Sequence, residues 1–449
     1  MVRRLYNKFN NHFKEESFAE LVKSSASTFL VRIGGLVAGY LFTLLVSRLY
    51  GPEVLGAHTI SLTVLMVFTI IGRLGMDFNI VKHFAKNSQE NRWDRIREVY
   101  RKTLKVVVPV SLVFTVIYFF AAPLIADKIF HKPHLTPYFR IMSFAVLPMV
   151  LRFINAECYR GFRMHRHYAY SQNVSYFLYG TVILGILSQF NSDPLLPNIA
   201  FVAALIILAI SSTLLIRKRI TSKTLEISDE HSPVELLTES APMLLSGSLM
   251  LVSGWINTII LGIFADDAQV GIYSVILKIS TLSTFVLMSI NAVSAPRFAQ
   301  LYAAGDTNGL SRYTAQTAKV IFFSSVPIFL MIIFFRHWLL GLFGAEFTAG
   351  STALLVSIAG QFFNVFAGSV GHFLNMTGHQ RAFRNIITSS TLINILLCLL
   401  LIPKWGIMGS AIAGMVFVAG WNLSAMVYIR RKFNIRTYYW PFRRIAANG

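Results

Sequence analysis

Charge is what this chain has least of. Asp, Glu, Lys and Arg make up 14% of its 449 residues, where a soluble globular protein carries about 25%. So few charges cannot coat a water-facing surface of this size. Acid is scarcer still, with 20 Asp and Glu against 41 Lys and Arg. Cysteine is limited to Cys158 and Cys398, both inside apolar segments, which excludes a disulfide scaffold. There is no GxxxxGK[ST] loop, no HExxH, no GxSxG and no His/Cys group at metal-ligand spacing. The chain therefore reads as no enzyme, and no cofactor or metal is expected.

What is there is apolar. Hydrophobic residues are 55% of the chain and the mean hydropathy is +0.58. Such a composition, at this length, belongs to a polytopic membrane protein. A spanning helix needs about 20 mostly apolar residues. Twelve stretches qualify, at roughly 25–48, 55–78, 106–126, 139–159, 169–190, 198–216, 238–263, 270–295, 317–340, 351–374, 383–402 and 406–429. The opening MVRRLYNKFNNHFKEESFAELVKSS is polar and amphipathic, so no cleaved signal peptide is expected.

Orientation follows from the basic residues. With the N-terminus inside, only Arg48, Lys128, Lys132, Arg140, Arg336 and Lys404 fall on the outer side. Arg32, Arg73, Arg152 and Lys278 fall within spans, and all the others fall on the cytoplasmic side. Both termini are therefore expected in the cytoplasm of a cell inner (plasma) membrane. The net charge of +21 is spread over short loops at helix ends. That pattern suits anionic lipid headgroups, not nucleic acid.

The longest polar stretch, RKRITSKTLEISDEHSPVELLTE (217–239), divides the spans six and six. A shift of 215 places LVAGYLFTLLVSRLYGPEVLGAHTI (36–60) on LVSGWINTIILGIFADDAQVGIYSV (251–275). Leu36, Val37, Gly39, Thr43 and Gly56 then meet Leu251, Val252, Gly254, Thr258 and Gly271, and Phe84-Ala85 meets Phe298-Ala299 at nearly that offset. The expected architecture is all-α, about twelve transmembrane helices in two pseudo-symmetric six-helix bundles around a central cavity. The bundles would be 1–216 and 238–449, the latter with a basic tail, joined by a cytoplasmic linker 217–237. Parallel repeats related by an axis along the membrane normal suit a transporter that opens alternately to either side.

A basic side chain at a helix centre costs about 2.5–3.5 kcal/mol on insertion scales, so those present tend to face a cavity or a partner. Arg32 either lines the cavity or snorkels to headgroups. Arg73 and Asp77, four apart, share a helix face and read as a neutralising pair or as cavity groups. Arg152 and Glu157 are five apart and poorly spaced for pairing. Lys278 lies deep in the eighth span with no local carboxylate. Arg32, Arg73, Arg152 and Lys278 are thus the candidate substrate-binding cations, and Asp77 and Glu157 possible coupling acids. Asn257, Asn291, Gln361, Asn364, His372 and Asn375 read as helix–helix hydrogen bonds or ligand contacts. Tyr168, Tyr170, Trp338 and Trp405 read as interfacial anchors. An excess of fixed positive charge favours an anion, and phosphate above all.

Four segments carry a family resemblance: VSRLYGPEVLGAHTISL (46–62), GRLGMDFNIVKHFAK (72–86), AECYRGFRMHRHYAYSQ (156–172) and LINILLCLLLIPKWGIMGSAIAGM (392–415). The last is the most specific, through Asn394, Ile402-Pro403, Gly406 and Gly409-Ser410-Ala411. Together they resemble the polysaccharide-repeat-unit (O-antigen type) flippases, or polysaccharide biosynthesis transporters. These belong to the multidrug/oligosaccharidyl-lipid/polysaccharide exporter superfamily. Twelve spans depart from the fourteen of many relatives. The resemblance implies an undecaprenyl-pyrophosphate-type oligosaccharide turned from the cytoplasmic to the outer leaflet, for surface polysaccharide such as lipopolysaccharide O-antigen. A polysaccharide polymerase or glycosyltransferases would be partners. A cation-coupled multidrug exporter and a membrane glycan polymerase or ligase are the alternatives.

Overall fold

The computed structural model describes residues 16–224, 226 and 232–438. The arm before Glu16, residues 225 and 227–231 of the expected linker, and the tail beyond Tyr438 lie outside the described residues. Among the described residues all regular structure is helical. This follows from the solvent, since hydrocarbon offers no partner for a backbone N–H or C=O.

The helices are α1 (Glu16–Arg73), α2 (Met76–Gln89), α3 (Trp93–Leu124), α4 (Thr136–Ser143), α5 (Val146–Gly161), α6 (His165–Ala169), α7 (Ser175–Leu187), α8 (Leu196–Thr221), α9 (Pro233–Phe264), α10 (Asp267–Leu282), α11 (Phe285–Ala303), α12 (Thr307–Phe334), α13 (Arg336–Gly341), α14 (Ser351–Ala367), α15 (Val370–Met376) and α16 (Gln380–Phe433). Straight, the 58 residues of α1 would reach about 87 Å, nearly three hydrocarbon thicknesses. Instead α1 breaks at Gly51, where φ is 78°. Pro52 follows, at home in the first turn of a new helix. In the same way α16 breaks at Gly406 (φ 51°).

Among the described residues six helices are long and apolar enough to span, or eight if two bent pairs each count as one. Those pairs are Pro133–Ser143 with Val146–Gly161 (47°) and Asp267–Leu282 with Phe285–Asn291 (51°). Splitting α1 and α16 at their glycines and adding the shorter apolar helices Ser175–Leu187 and Gly254–Phe264 gives twelve segments among the described residues. The second expected span, 55–78, is corrected: its helix ends at Arg73. Leu74 (φ 52°) and Gly75 (φ 73°) turn the chain before α2.

Two compact units separate, Met1–Leu49 with Ser61–Ser248, and Tyr50–Ile60 with Leu249–Gly449. Their border falls inside α9, beyond the polar linker. The start of α9 is set by a capping box. The Ser232 hydroxyl accepts the Glu235 backbone N–H at 3.0 Å, and the Glu235 carboxylate accepts that of Ser232 at 3.2 Å. One turn on, Leu236 is buried in the first unit's core with Met76, Ile80, Phe84, Ile96 and Ile216.

Each unit is built around the same aromatic contact. In the first, fully buried Phe84 meets Tyr100 edge-on at 6.3 Å. In the second, fully buried Phe298 meets Tyr313 edge-on at 5.5 Å. Within the second unit two glycines approach reciprocally. A Cβ on Gly56 would overlap the Asp267 carbonyl and lie 3.0 Å from the Gly271 nitrogen. One on Gly271 would overlap the Pro52 carbonyl and lie 3.0 Å from the Gly56 nitrogen. Both pairs, 56 with 271 and 52 with 267, stand at the offset of 215 found in the sequence. The two backbones thus meet about a local two-fold axis, and only glycine fits there.

Candidate functional site

The first unit gathers five of the six predicted site residues. Arg73 is the last residue of α1 and Asp77 sits in the first turn of α2. The break at Leu74–Gly75 lies between them, yet their side chains meet at 2.8 Å, both buried. The Asp77 carboxylate also accepts backbone N–H groups of its own first turn. A helix N-terminus favours an acid there.

From α5, Arg152 points into the same region and is 3% exposed. It does not reach Glu157. Its Nη1 donates to the Ser171 carbonyl (3.2 Å), the Gln172 carbonyl (3.3 Å) and the Gln172 side-chain oxygen (3.2 Å). Those carbonyls belong to one π-helical turn, Tyr170–Val174, between α6 and α7. A π-turn disturbs the usual helical hydrogen-bond ladder and is frequent at functional sites. Arg152 also lies 4.1 Å from the Phe153 ring centroid and 4.9 Å from that of Tyr176. Arg73 lies 4.3 Å from the same Phe153 ring. One phenyl ring thus attracts two guanidiniums by cation–π contact.

Glu157 pairs with Arg160 at 3.2 Å and accepts the Tyr168 hydroxyl. Partly buried Arg32 lies within electrostatic reach of that hydroxyl. The cluster therefore sets four guanidiniums, of Arg32, Arg73, Arg152 and Arg160, against two carboxylates. Arg73 Nε is buried with no hydrogen-bond partner among the described residues, a donor left to spare.

Lys278 belongs to the second unit, partly buried on α10, just before the bend into α11. Among that unit's buried polar groups, two amides form a chain. Asn394 donates to Asn257 at 2.7 Å, and Asn257 donates to the Ser410 carbonyl at 3.1 Å. Asn364 instead bonds Gln361 within one helix, at 3.2 Å. Cys158 and Cys398 are buried and unpaired.

Tyr168 is corrected from interfacial anchor to cluster member. Phe153, Gln172 and Tyr176 were also missed. The signal available was spacing, because Tyr168, Gln172 and Tyr176 recur every fourth residue on one face ahead of an apolar helix. Trp338 and Trp405 are exposed.

Two family models match this chain. That for polysaccharide biosynthesis proteins covers residues 21–302, and that for MatE covers 242–400. An uncharacterized membrane protein of Methanocaldococcus jannaschii, MJ1068, is 22% identical over 82% of this chain and 76% of its own length. Agl15 of Haloferax volcanii, described as a probable low-salt glycan biosynthesis flippase, is 21% identical over 35% of this chain. That match spans only 34% of Agl15. Among solved structures, an inward-facing multidrug resistance MATE family transporter of the MOP superfamily superimposes with a TM-score of 0.71 at 13% identity, over 90% of this chain and 98% of that one. The lipid II flippase MurJ, in an inward closed conformation, gives 0.68 at 14% identity over 91% and 87%. These structures share the fold, and the family match spans well over half of the residues. The chain belongs to the polysaccharide biosynthesis protein family and has the fold of MOP-superfamily transporters.

Proposed function

We propose that this protein flips an oligosaccharide linked to a lipid phosphate or pyrophosphate from the cytoplasmic to the outer leaflet by alternating access, for surface polysaccharide assembly. Its membrane would be the plasma membrane, with both termini cytoplasmic. Cargo of the undecaprenyl-pyrophosphate type fits both charge and grease, and a polymerase or glycosyltransferases would act beside it. The single observation that carries the reading is Arg152. Its buried guanidinium is held by neutral carbonyls and ring faces, so its charge stays available to an anion. Arg32, Arg73 and Lys278 would share the phosphate. The chain's own part is binding and conformational change, not bond making.

The test is reconstitution in vesicles containing a fluorescent polyprenyl-diphosphate oligosaccharide. Arg152→Gln keeps a donor for the π-turn carbonyls and removes the charge. Flipping should fall at least tenfold. Unchanged flipping in Arg32→Ala, Arg73→Ala, Arg152→Gln, Lys278→Ala and the combined variant would refute the cationic site.

A second reading, cation-coupled drug export, is favoured by the MatE match over 242–400. It would use Asp77 and Glu157 as coupling acids. Both have an arginine partner, which argues against it. Drug resistance conferred on expressing cells would support it.

A further inference from the structure

The second unit holds an open cavity of about 350 Å³ between the two arms of α16. Asn385, Ser389 and Ser390 line it from the arm before Gly406, and Gly420 and Ser424 from the arm after it. Counting along the helix, 385–393 lie about 7–20 Å from its Gln380 end. Ile386 and Ile393 supply an apolar wall. No charged side chain lines it.

Serine and threonine in apolar helices ordinarily give their hydroxyls to a carbonyl one turn back. This chain follows that habit widely. Thr391 donates to the Ile387 carbonyl at 2.8 Å, Ser280 to that of Leu277 at 3.0 Å and Thr314 to that of Leu310 at 2.7 Å. The four polar groups of the cavity break it. Asn385, Ser389, Ser390 and Ser424 make no hydrogen bond to any described residue. Ser390 is only 8% exposed and lines the cavity, its hydroxyl 3.9 Å from where a Cβ on Gly420 would stand. Free hydroxyls and an amide within a spanning helix pair cannot be left to hydrocarbon. They need a partner that is itself rich in donors and acceptors.

We infer that this cavity is a binding site for an uncharged polyol, the sugar portion of the transported lipid. A phosphate would want cations, and the walls offer none. A pyranose presents hydroxyls on its rim and C–H faces, which the serines, Asn385 and the two isoleucines complement. A few well-placed polar groups in an apolar hollow are what fixes a small ligand. The inference rests on the proposed cargo and divides its recognition, with charge read by the basic side chains and hydroxyls by this cavity.

The experiment uses the full chain in nanodiscs and three probes: a polyprenyl diphosphate bearing a tetrasaccharide, the same lipid without sugar, and phosphatidylglycerol. Replacing Ser389, Ser390 and Ser424 together by Ala should weaken the saccharide-bearing lipid about tenfold to a hundredfold, as losing two or three net hydrogen bonds implies. Binding of the bare diphosphate should not change. Ser389→Thr with Ser424→Thr keeps the hydroxyls and should bind as the parent does. Unchanged tetrasaccharide binding in the triple variant would overturn the assignment. So would equal losses for the two polyprenyl lipids, or a loss for phosphatidylglycerol, which would make the cavity a headgroup site. Wild-type protein that binds the tetrasaccharide lipid but never flips it would refute the transport reading and leave the sugar site standing.

Discussion

The two units share a duplicated scaffold but differ in what they bury. The first encloses an ionic cluster of Arg73, Asp77, Arg152 and Glu157 around Phe153. The second encloses an amide chain from Asn394 through Asn257 to the Ser410 carbonyl. At the offset of 215, Arg73 falls on Met288 and Asp77 on Ala292, while Lys278 falls on Thr63. The aromatic pairs Phe84–Tyr100 and Phe298–Tyr313 were kept in both copies. Packing was thus conserved across the duplication while buried charge was not. Charge at depth is costly, so its presence in one copy marks work that copy does alone.

The contrast can be broken most forcefully at Asp77. Replacing it by Ala leaves Arg73 buried without its carboxylate and should cost roughly 3–5 kcal/mol, read as a lowered unfolding temperature in detergent. Substituting both, Arg73→Met with Asp77→Leu, should restore most of that stability while flipping stays impaired. If flipping also returned, the pair would be structural only. Next come the reciprocal glycines. Gly56→Ala and Gly271→Ala each drive a methyl into a carbonyl and should each cost about 1–3 kcal/mol, by similar amounts if the local two-fold holds. In the second unit Asn394→Leu leaves Asn257 short of one partner and should cost about 1–3 kcal/mol. Unlike the arginine changes, it should leave the preference for anionic lipid intact. The smallest effect belongs to Arg160→Ala. Its side chain is half exposed, so loss of the Glu157 pair should move stability by no more than about 1 kcal/mol.

Much of this was legible in the chain itself. Runs of apolar residues gave the helices, and three of the four basic residues at depth gave the cluster, because both are signals of composition. The break after Arg73 was not, since Leu74 carries no mark of a left-handed turn and Gly75 alone is common in membrane helices. Nor was the π-turn, whose carbonyls are taken by Arg152 some 20 residues away. Tyr168 was misread because a tyrosine at a span end suits either an interface or an interior. The hydroxyl cavity was missed for a plainer reason: isolated serines in apolar helices leave no periodic trace, and their meaning lies in bonds they do not make.

One consequence follows from Tyr50–Ile60, the stretch of α1 that packs with the second unit. The halves are not separable cassettes. A gene cut at the central linker would yield an N-terminal product displaying the bare edge at Pro52 and Gly56, and a C-terminal product with a gap opposite Asp267 and Gly271. Neither should persist alone. Co-expressed, the two pieces should rescue one another by reseating that borrowed eleven-residue strap.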